Sequence, residues 1–345
     1  MNALIIKYKD SGRRGIANIG STCYINTALQ CLAHNLTFLE FVIGTHSELA
    51  SPHKGLMKEL EDIYNIQWKK MNGVVPRRFV RVLQDAFGEM LHIHEQNDIN
   101  EFIALFVDKL NTSIGVPPPN TVRYDIKKVD PIVRFCNESQ NAWYMSHSTG
   151  YSQLADMLYG QVVSQITCDV CNDITHVFDT FACLMLSFDE SRPKTDDESV
   201  GEMLTSYMRN ESLHARDCDQ CQRQCPGRRI HRFSKLPNIL MISIKRFDSK
   251  MQKISKRVLV PEELDMTPAC IQLGNESFAN QYNYRLMSIA CHAGNMGYGH
   301  YYALCRHPDG LWYEYDDETV KCIDDYKRTN PAHYYMLFYE RLVNI

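Results

Sequence analysis

No uninterrupted apolar run in this chain of 345 residues approaches the ~18 that a membrane-crossing helix needs. The apolar start, Ala3-Leu4-Ile5-Ile6, is cut off by Lys7 and falls short of the ~7–15 residues of a secretory signal core. Charge of one sign is scarce as well. Thirty-seven basic residues against 41 acidic ones leave a net charge of −4, which gives no field suited to nucleic acid or an anionic membrane. No internal repeat is present. These absences predict a cytosolic or nuclear globular protein without nucleic-acid or membrane partners, and 44% apolar with 23% charged residues is ordinary for that class. Cysteine, by contrast, is plentiful. Thirteen cysteines, an odd number without a secretory signal, read as metal ligands, a nucleophile and buried thiols rather than disulfides.

The segment Gly15-Ile16-Ala17-Asn18-Ile19-Gly20-Ser21-Thr22-Cys23 delivers one of these thiols from a loop with two glycines to the start of a helix. From Tyr24 the apolar residues Ile25, Ala28, Leu29 and Leu32 recur at helical spacing. A thiol in a first helical turn faces the positive end of the helix dipole, which favours the nucleophilic thiolate. A folded-back loop would aim the Asn18 amide at the oxygen of a tetrahedral intermediate, with the Cys23 N–H as second donor. The plain alternative is a buried, inert cysteine.

A base for that thiol stands near the other end. Gly297-Tyr298-Gly299-His300 places a histidine between a glycine-rich turn and an alternating, aromatic strand, and the strand Leu311–Tyr315 ends in Asp316-Asp317. Adjacent antiparallel strands would bring His300 and Asp316 together, the carboxylate fixing the imidazole and the imidazole taking the thiol proton. A histidine satisfied by strand backbone is the alternative.

Cys168-Asp169-Val170-Cys171 and Cys218-Asp219-Gln220-Cys221 are paired CxxC knuckles, each a two-thiolate bite for a tetrahedral zinc ion. Four cysteines with no other ligand type argue for a closed structural site; buried reduced thiols are the alternative. Cys225, His214 and His231 are weaker substitute ligands without that geometry. Asp98-Ile99-Asn100-Glu101 has the outline of a helix cap, contributing on the order of 1 kcal/mol.

The coarse pattern is helical from 23 to about 111, stops at Pro117-Pro118-Pro119, shows no clear period over 120–150, and turns to strands after 160. Expected strands are 161–167, 177–186, 229–233, 239–247, 286–292 and 300–306, with one helix over 200–213. Residues 1–14 are expected to be a short basic leader without structure, and 277–284 a polar, aromatic loop.

In this order, the segments resemble the ubiquitin-specific proteases, a family of papain-like cysteine deubiquitinases. The run around Cys23 resembles that family's Cys box, and Gly299-His300-Tyr301 with Trp312 to Asp317 its His box. Gln96-Asn97-Asp98-Ile99-Asn100-Glu101-Phe102 is similar to its Gln-Asp-Glu-Phe box. Leu236 to Leu240 with Lys245-Arg246-Phe247, and Tyr334 to Tyr339, resemble its central and last palm strands. The likeness runs from about residue 15 to 341.

It implies a papain-like α+β catalytic core with little outside it. A helical thumb (about 15–155), zinc-bearing β fingers (about 156–240) and an antiparallel palm (about 240–345) make up that core. The implied reaction is hydrolysis of the bond after the C-terminal glycine of ubiquitin. Cys23 attacks, Asn18 and a backbone amide hold the oxyanion, His300 protonates the leaving amine, Asp316 orients it, and Asp317 is a second candidate acid. Gln96, Asp98, Glu101 and Gly299 are implied to line the path of the ubiquitin tail, and Cys168, Cys171, Cys218 and Cys221 to hold one structural zinc. Implied partners are ubiquitin and ubiquitinated proteins, with selectivity arising from the core surface or from a partner protein; the sequence does not reveal any activating protein. The alternatives are a protease for another ubiquitin-like modifier and a ubiquitin-binding scaffold.

Overall fold

The first half of the chain is built around a helix with no exposed side. Residues 2–44, 54–70, 72–90, 92–93, 95–119, 130–193, 195–272, 282–295 and 297–342 are described by the computed structural model. Helix α1 (Asn2–Tyr8) precedes the central α2 (Cys23–Ala33), in which every residue is buried. Around it stand α3 (Leu36–Gly44), α4 (Lys54–Tyr64) with a π turn over Asn65–Lys69, α5 (Arg77–Phe87) and α6 (Ile99–Ile114). Beyond them, α7 (Pro131–Ser146) and α8 (Gln153–Leu158) lead into the sheets. Hydrogen bonds tie α2 to the segments around it. Gln30 donates to Arg14 O, Ser288 Oγ donates to Cys31 O, and Tyr64 donates to Leu29 O.

The strands are β1 (Gly160–Cys168), β2 (Ile174–Phe181), β3 (Cys183–Leu186), β4 (Glu198–Ser199), β5 (Glu211–Cys218), β6 (Arg223–Lys235) and β7 (Ile239–Ile244). They continue with β8 (Val258–Leu259), β9 (Glu263–Asp265), β10 (Asn283–Gly294), β11 (Gly299–Arg306), β12 (Trp312–Asp316), β13 (Thr319–Asp324) and β14 (Tyr334–Arg341); α9 (Val200–Tyr207) lies between β4 and β5. Strands β2-β1-β6-β5 form the fingers, and the palm sheet runs β13-β12-β11-β10-β14-β7-β3 with β9 on β10. The palm is antiparallel except where β3 pairs β7 in parallel.

The palm is covered on both faces, which explains the unbroken burial along β7 and nearly all of β14. Met241, Ala290, Ala303, Met336 and Phe338 face the helical core, while Ile242, Ile289, Leu304, Leu337 and Tyr339 join a second core with Val200, Met203 and Leu204 of α9. The two-residue period of a strand sorts its neighbours onto opposite cores.

The α+β arrangement of helical thumb, palm and fingers is the expected one; several segments differ. Residues 2–8 of the expected leader are helical and docked, because Lys7 and Tyr8 both bond Glu40 and Tyr8 packs edge-on against Trp68. Part of the aperiodic stretch is α7, started by Asp130, whose carboxylate accepts from Ile132 N and Val133 N; residues 120–129 lie outside the described residues. The strand expected over 177–186 is two strands in different sheets, since β2 pairs β1 and β3 pairs β7. The expected fingers segment is therefore interrupted by β3 and α9, which pack with the palm. The helix expected over 200–213 ends at Tyr207, because the chain must extend as β5 to bring Cys218 to its partners. Of the loop expected over 277–284, residues through 281 lie outside the described residues, and Asn283 and Tyr284 already belong to β10.

Candidate functional site

The loop before Cys23 is shaped by its own side chains. Gly20 and Ser21 have φ of +117° and +52°, turning the chain sharply into α2. The Asn18 side-chain oxygen accepts from Gly20 N, Thr22 N and Thr22 Oγ1, which fixes which way its amide faces. The Asn18 nitrogen then donates to Asp317 Oδ2 at 2.9 Å, and Asn26 on α2 donates to Asp317 Oδ1 at 2.8 Å. Cys23 opens α2, and Thr22 gives no side-chain cap, so the helix starts with its N–H groups uncapped by side chains.

His300 and Asp316 come together through sheet register. Strand β10 pairs β11 with Ala293 opposite His300, and β11 pairs β12 with Ala303 opposite Tyr315. His300 Nε2 lies 2.6 Å from Asp316 Oδ1, leaving Nδ1 for another partner. The imidazole is pushed up to about 9, first by its hydrogen bond with Cys23 and then by Asp316, against the opposing effect of burial. Cys23, His300 and Asp316 thus form one connected set. Asp317 sits in the turn between β12 and β13 at φ +47°, and its main-chain oxygen accepts from Ile16 N at 2.9 Å. Its carboxylate serves Asn18 and Asn26, whereas Asp316 serves the histidine.

The box before α6 lies against this set. Gln96 Nε2 donates to Gly299 O and Gln96 Oε1 accepts from Gly299 N, both at 3.2 Å, a reciprocal clamp on the residue before His300. A Cβ on Gly299 would meet His292 Nε2 at 2.0 Å, so the close approach requires glycine. Asp98 caps α6, accepting from Asn100 N and Glu101 N, and also accepts from Tyr335 OH. Glu101 does not return to complete the capping box; its carboxylate is exposed and makes no hydrogen bond or ion pair among the described residues. A narrow cavity of about 130 Å³ runs here, lined by Gln96, Asn97, Asp98, Phe247, His292 and Tyr301.

At the far end of the fingers, the sulfurs of Cys168, Cys171, Cys218 and Cys221 all lie within 4.8 Å of one another. The two knuckles are built alike. Asn172 N donates to Cys168 O and Gln222 N to Cys218 O, and Asn172 and Gln222 both have positive φ, 59° and 54°. Four soft donors at this spacing could hold a metal ion, since ~2.3 Å zinc–sulfur bonds in a tetrahedron set sulfurs about 3.8 Å apart and Cys171 and Cys218 stand at 3.6 Å. Of the weaker candidates, Cys225 packs against the cluster and His231 bonds Ser164 instead.

The family model described as Ubiquitin carboxyl-terminal hydrolase matches residues 14–339. The chain belongs to this family. Among curated members, it is 27% identical over 351 residues to Ubiquitin carboxyl-terminal hydrolase Usp2 of Drosophila melanogaster, covering 96% of this chain and 35% of that one. It is 26% identical over 368 residues to Ubiquitin carboxyl-terminal hydrolase 5 of Saccharomyces cerevisiae, covering 95% and 44%. The chain spans only about a third to three fifths of the length of such relatives. Among solved structures, the SAGA DUB module of Ubp8, Sgf11, Sus1 and Sgf73 bound to monoubiquitin superposes with a TM-score of 0.74 at 22% identity, covering 98% of this chain and 71% of that one. The same module bound to ubiquitin aldehyde gives 0.73 at 23%. That likeness is one of fold.

Within this ubiquitin carboxyl-terminal hydrolase core, sequence reasoning overlooked several residues that hold the site. Asn26 ties α2 to Asp317; its place one turn after Cys23, polar within an apolar helix, was the available signal. His34 Nε2 lies 2.9 Å from Tyr315 OH, joining the end of α2 to the residue before Asp316, and burial pushes that imidazole down to about 3. Lys253 donates to His292 O and Gly294 O, bracing the turn before His300, and nothing in its local sequence marks it.

Proposed function

We propose that the chain is a thiol-dependent deubiquitinase that cleaves the bond after the C-terminal glycine of ubiquitin. The observation that carries this reading is the connected Cys23–His300–Asp316 set, with the imidazole raised to about 9 beside the thiol. Because Nε2 of His300 is committed to Asp316, Nδ1 takes the Cys23 proton and gives it to the leaving amine. The sulfur attacks the glycine carbonyl. The Cys23 N–H in the first turn of α2 and the second N–H of Asn18 stabilise the oxyanion, and water then hydrolyses the thioester. Asp317 is the positioning residue for Asn18 rather than a second acid for His300. The cavity beside Gly299 suits a peptide end without side chains, and Glu101 is the free carboxylate near it for a cationic tail. Thirteen unpaired thiols fit a reducing compartment, the cytosol or nucleus.

Electrophilic probes made from ubiquitin, a SUMO-like and a NEDD8-like modifier test the reading. Ubiquitin probe should label Cys23 and the others should not. Preferential labelling by another modifier reassigns the substrate, and tight ubiquitin binding without labelling makes the chain a scaffold.

The Asn18–Asp317 pairing has its own expected result. Asn18→Ala and Asp317→Ala should each lower kcat by about 10²–10³-fold, the usual effect of losing an oxyanion donor. The double variant should be little worse than either, because both remove one function. Additive losses would separate the two residues.

Zinc is the metal this reading assigns to Cys168, Cys171, Cys218 and Cys221, where it closes the tip of the fingers and takes no part in chemistry. Native mass spectrometry should find one zinc per chain. Cys168→Ser should remove it and lower Tm by roughly 5–10 °C, with a much smaller change in Cys23 alkylation. A metal-free protein of full stability would exclude the site.

A further inference from the structure

The thumb carries a cavity of about 530 Å³ away from the cleft, between the π turn and the start of α5. Its floor is apolar, formed by Ile63, Val74 and Phe79, and Val75 at its edge is 58% exposed. Its charge is one-sided. The acidic residues lining it are already matched, Glu59 by Arg78 at 2.6 Å and Asp62 by Lys58 at 3.1 Å. Lys69, Lys70 and Arg77 also line it, are exposed, and make no ion pair among the described residues. Helix α5 adds to the same sign, because its first turn has no acidic residue and Pro76 offers no side-chain cap. Three exposed cations outside any ion pair among the described residues, set around an apolar hollow, complement a chain segment that carries carboxylates on either side of a hydrophobic residue.

The wall of this cavity is bonded to the Cys23 loop. Val74 pairs with Ile16 as an isolated parallel bridge; Ala17 N donates to Val74 O at 2.7 Å, and Val74 N donates to Gly15 O at 3.2 Å. Asn18 follows directly. A displacement of the Val74 segment therefore reaches the oxyanion side of the cleft through two main-chain hydrogen bonds.

We propose that this cavity docks an acidic, hydrophobic-anchored segment of a partner protein, and that its occupation alters turnover at Cys23. Phage-displayed random peptides would be selected on the wild-type chain with counter-selection on Lys69→Glu/Lys70→Glu/Arg77→Glu. The selected peptides should carry Asp or Glu flanking an apolar residue and lose at least about tenfold in affinity on that variant. A bound peptide should change kcat for ubiquitin–aminomethylcoumarin by about fivefold or more. If the triple variant melts early, Val75→Asp at the exposed edge supplies the same comparison. Peptides without acidic enrichment, or equal affinity for both proteins, overturn the site. A DNA duplex that displaces the peptides at matched salt overturns the choice of a protein partner, and binding without a change in kcat overturns the coupling. The binding arm needs no turnover, so its failure is distinct from failure of the deubiquitinase reading.

Discussion

Cys23→Ala should abolish hydrolysis of ubiquitin–aminomethylcoumarin, a loss of about 10⁶-fold, comparable to removal of the nucleophile from a serine protease. The reason is structural as well as chemical. Cys23 is at the first position of α2 and is the largest cause of the raised proton affinity of His300, so no neighbouring thiol can take its place. Cys31 lies on the same helix but is fully buried, and Cys291 and Cys305 are sealed in the palm with their thiols pushed up by burial. The variant should still fold, since alanine suits a first helical turn, and should still bind ubiquitin. Peptide mapping after treatment with a ubiquitin electrophile checks the assignment: residual labelling of the alanine variant would place the nucleophile elsewhere.

Asp316→Ala should lower kcat by about 10⁴-fold, the cost seen when the orienting acid of a triad is disabled. The same substitution should move the alkaline limb of the pH–rate profile. With Asp316 present the imidazole is raised to about 9; without it, one of the two partners that raise it is gone, and the limb should shift toward the ordinary histidine value of about 6.5. The sign carries over to stability. A histidine whose folded value is raised stabilises the fold fully below about pH 6.5, and that contribution is lost as pH climbs through about 9. Wild type and Asp316→Ala should therefore differ most in Tm at neutral and mildly acidic pH and converge above the raised value. A larger kcat loss in Asp317→Ala than in Asp316→Ala would reverse the two roles.

How much of this was legible depends on how local each signal is. The knuckles at Cys168 and Cys218 and the start of α6 at Asp98 are written in four consecutive residues, so their conformations follow from nearest neighbours. The meeting of Asn18 with Asp317 spans 299 residues of sequence and follows only from the stacking of α2 on β11 and β12. Helix α7 was missed because only Phe135 and Trp143 are buried in its 16 residues, too few for a helical period. Its Asp130-Pro131 start, a cap followed by a first-turn proline, was the signal available. The break between β2 and β3 was hidden for the opposite reason: the apolar run from Phe181 to Leu186 continues across Ala182 while the strand changes sheets. For Asp98 the cap was readable, but its bond from Tyr335, 237 residues away, was not. That contact makes Asp98 more of a joint between α6 and β14 than a free carboxylate awaiting a cation.

Gly15 lies directly against the turn that bears Asp317. A Cβ there would fall 2.4 Å from the main chain of Asp317 and Glu318, and the next amide, Ile16, donates to Asp317 O. The backbone supplying the nucleophile and the backbone supplying the acid are thus sewn together at one stitch. A cleft sewn at that edge does not open like a book. Adjustments around Cys23 must leave that stitch in place, and the Ile16 amide should exchange with deuterium only when the seam itself gives way, making it a residue-sized gauge of whether thumb and palm ever part.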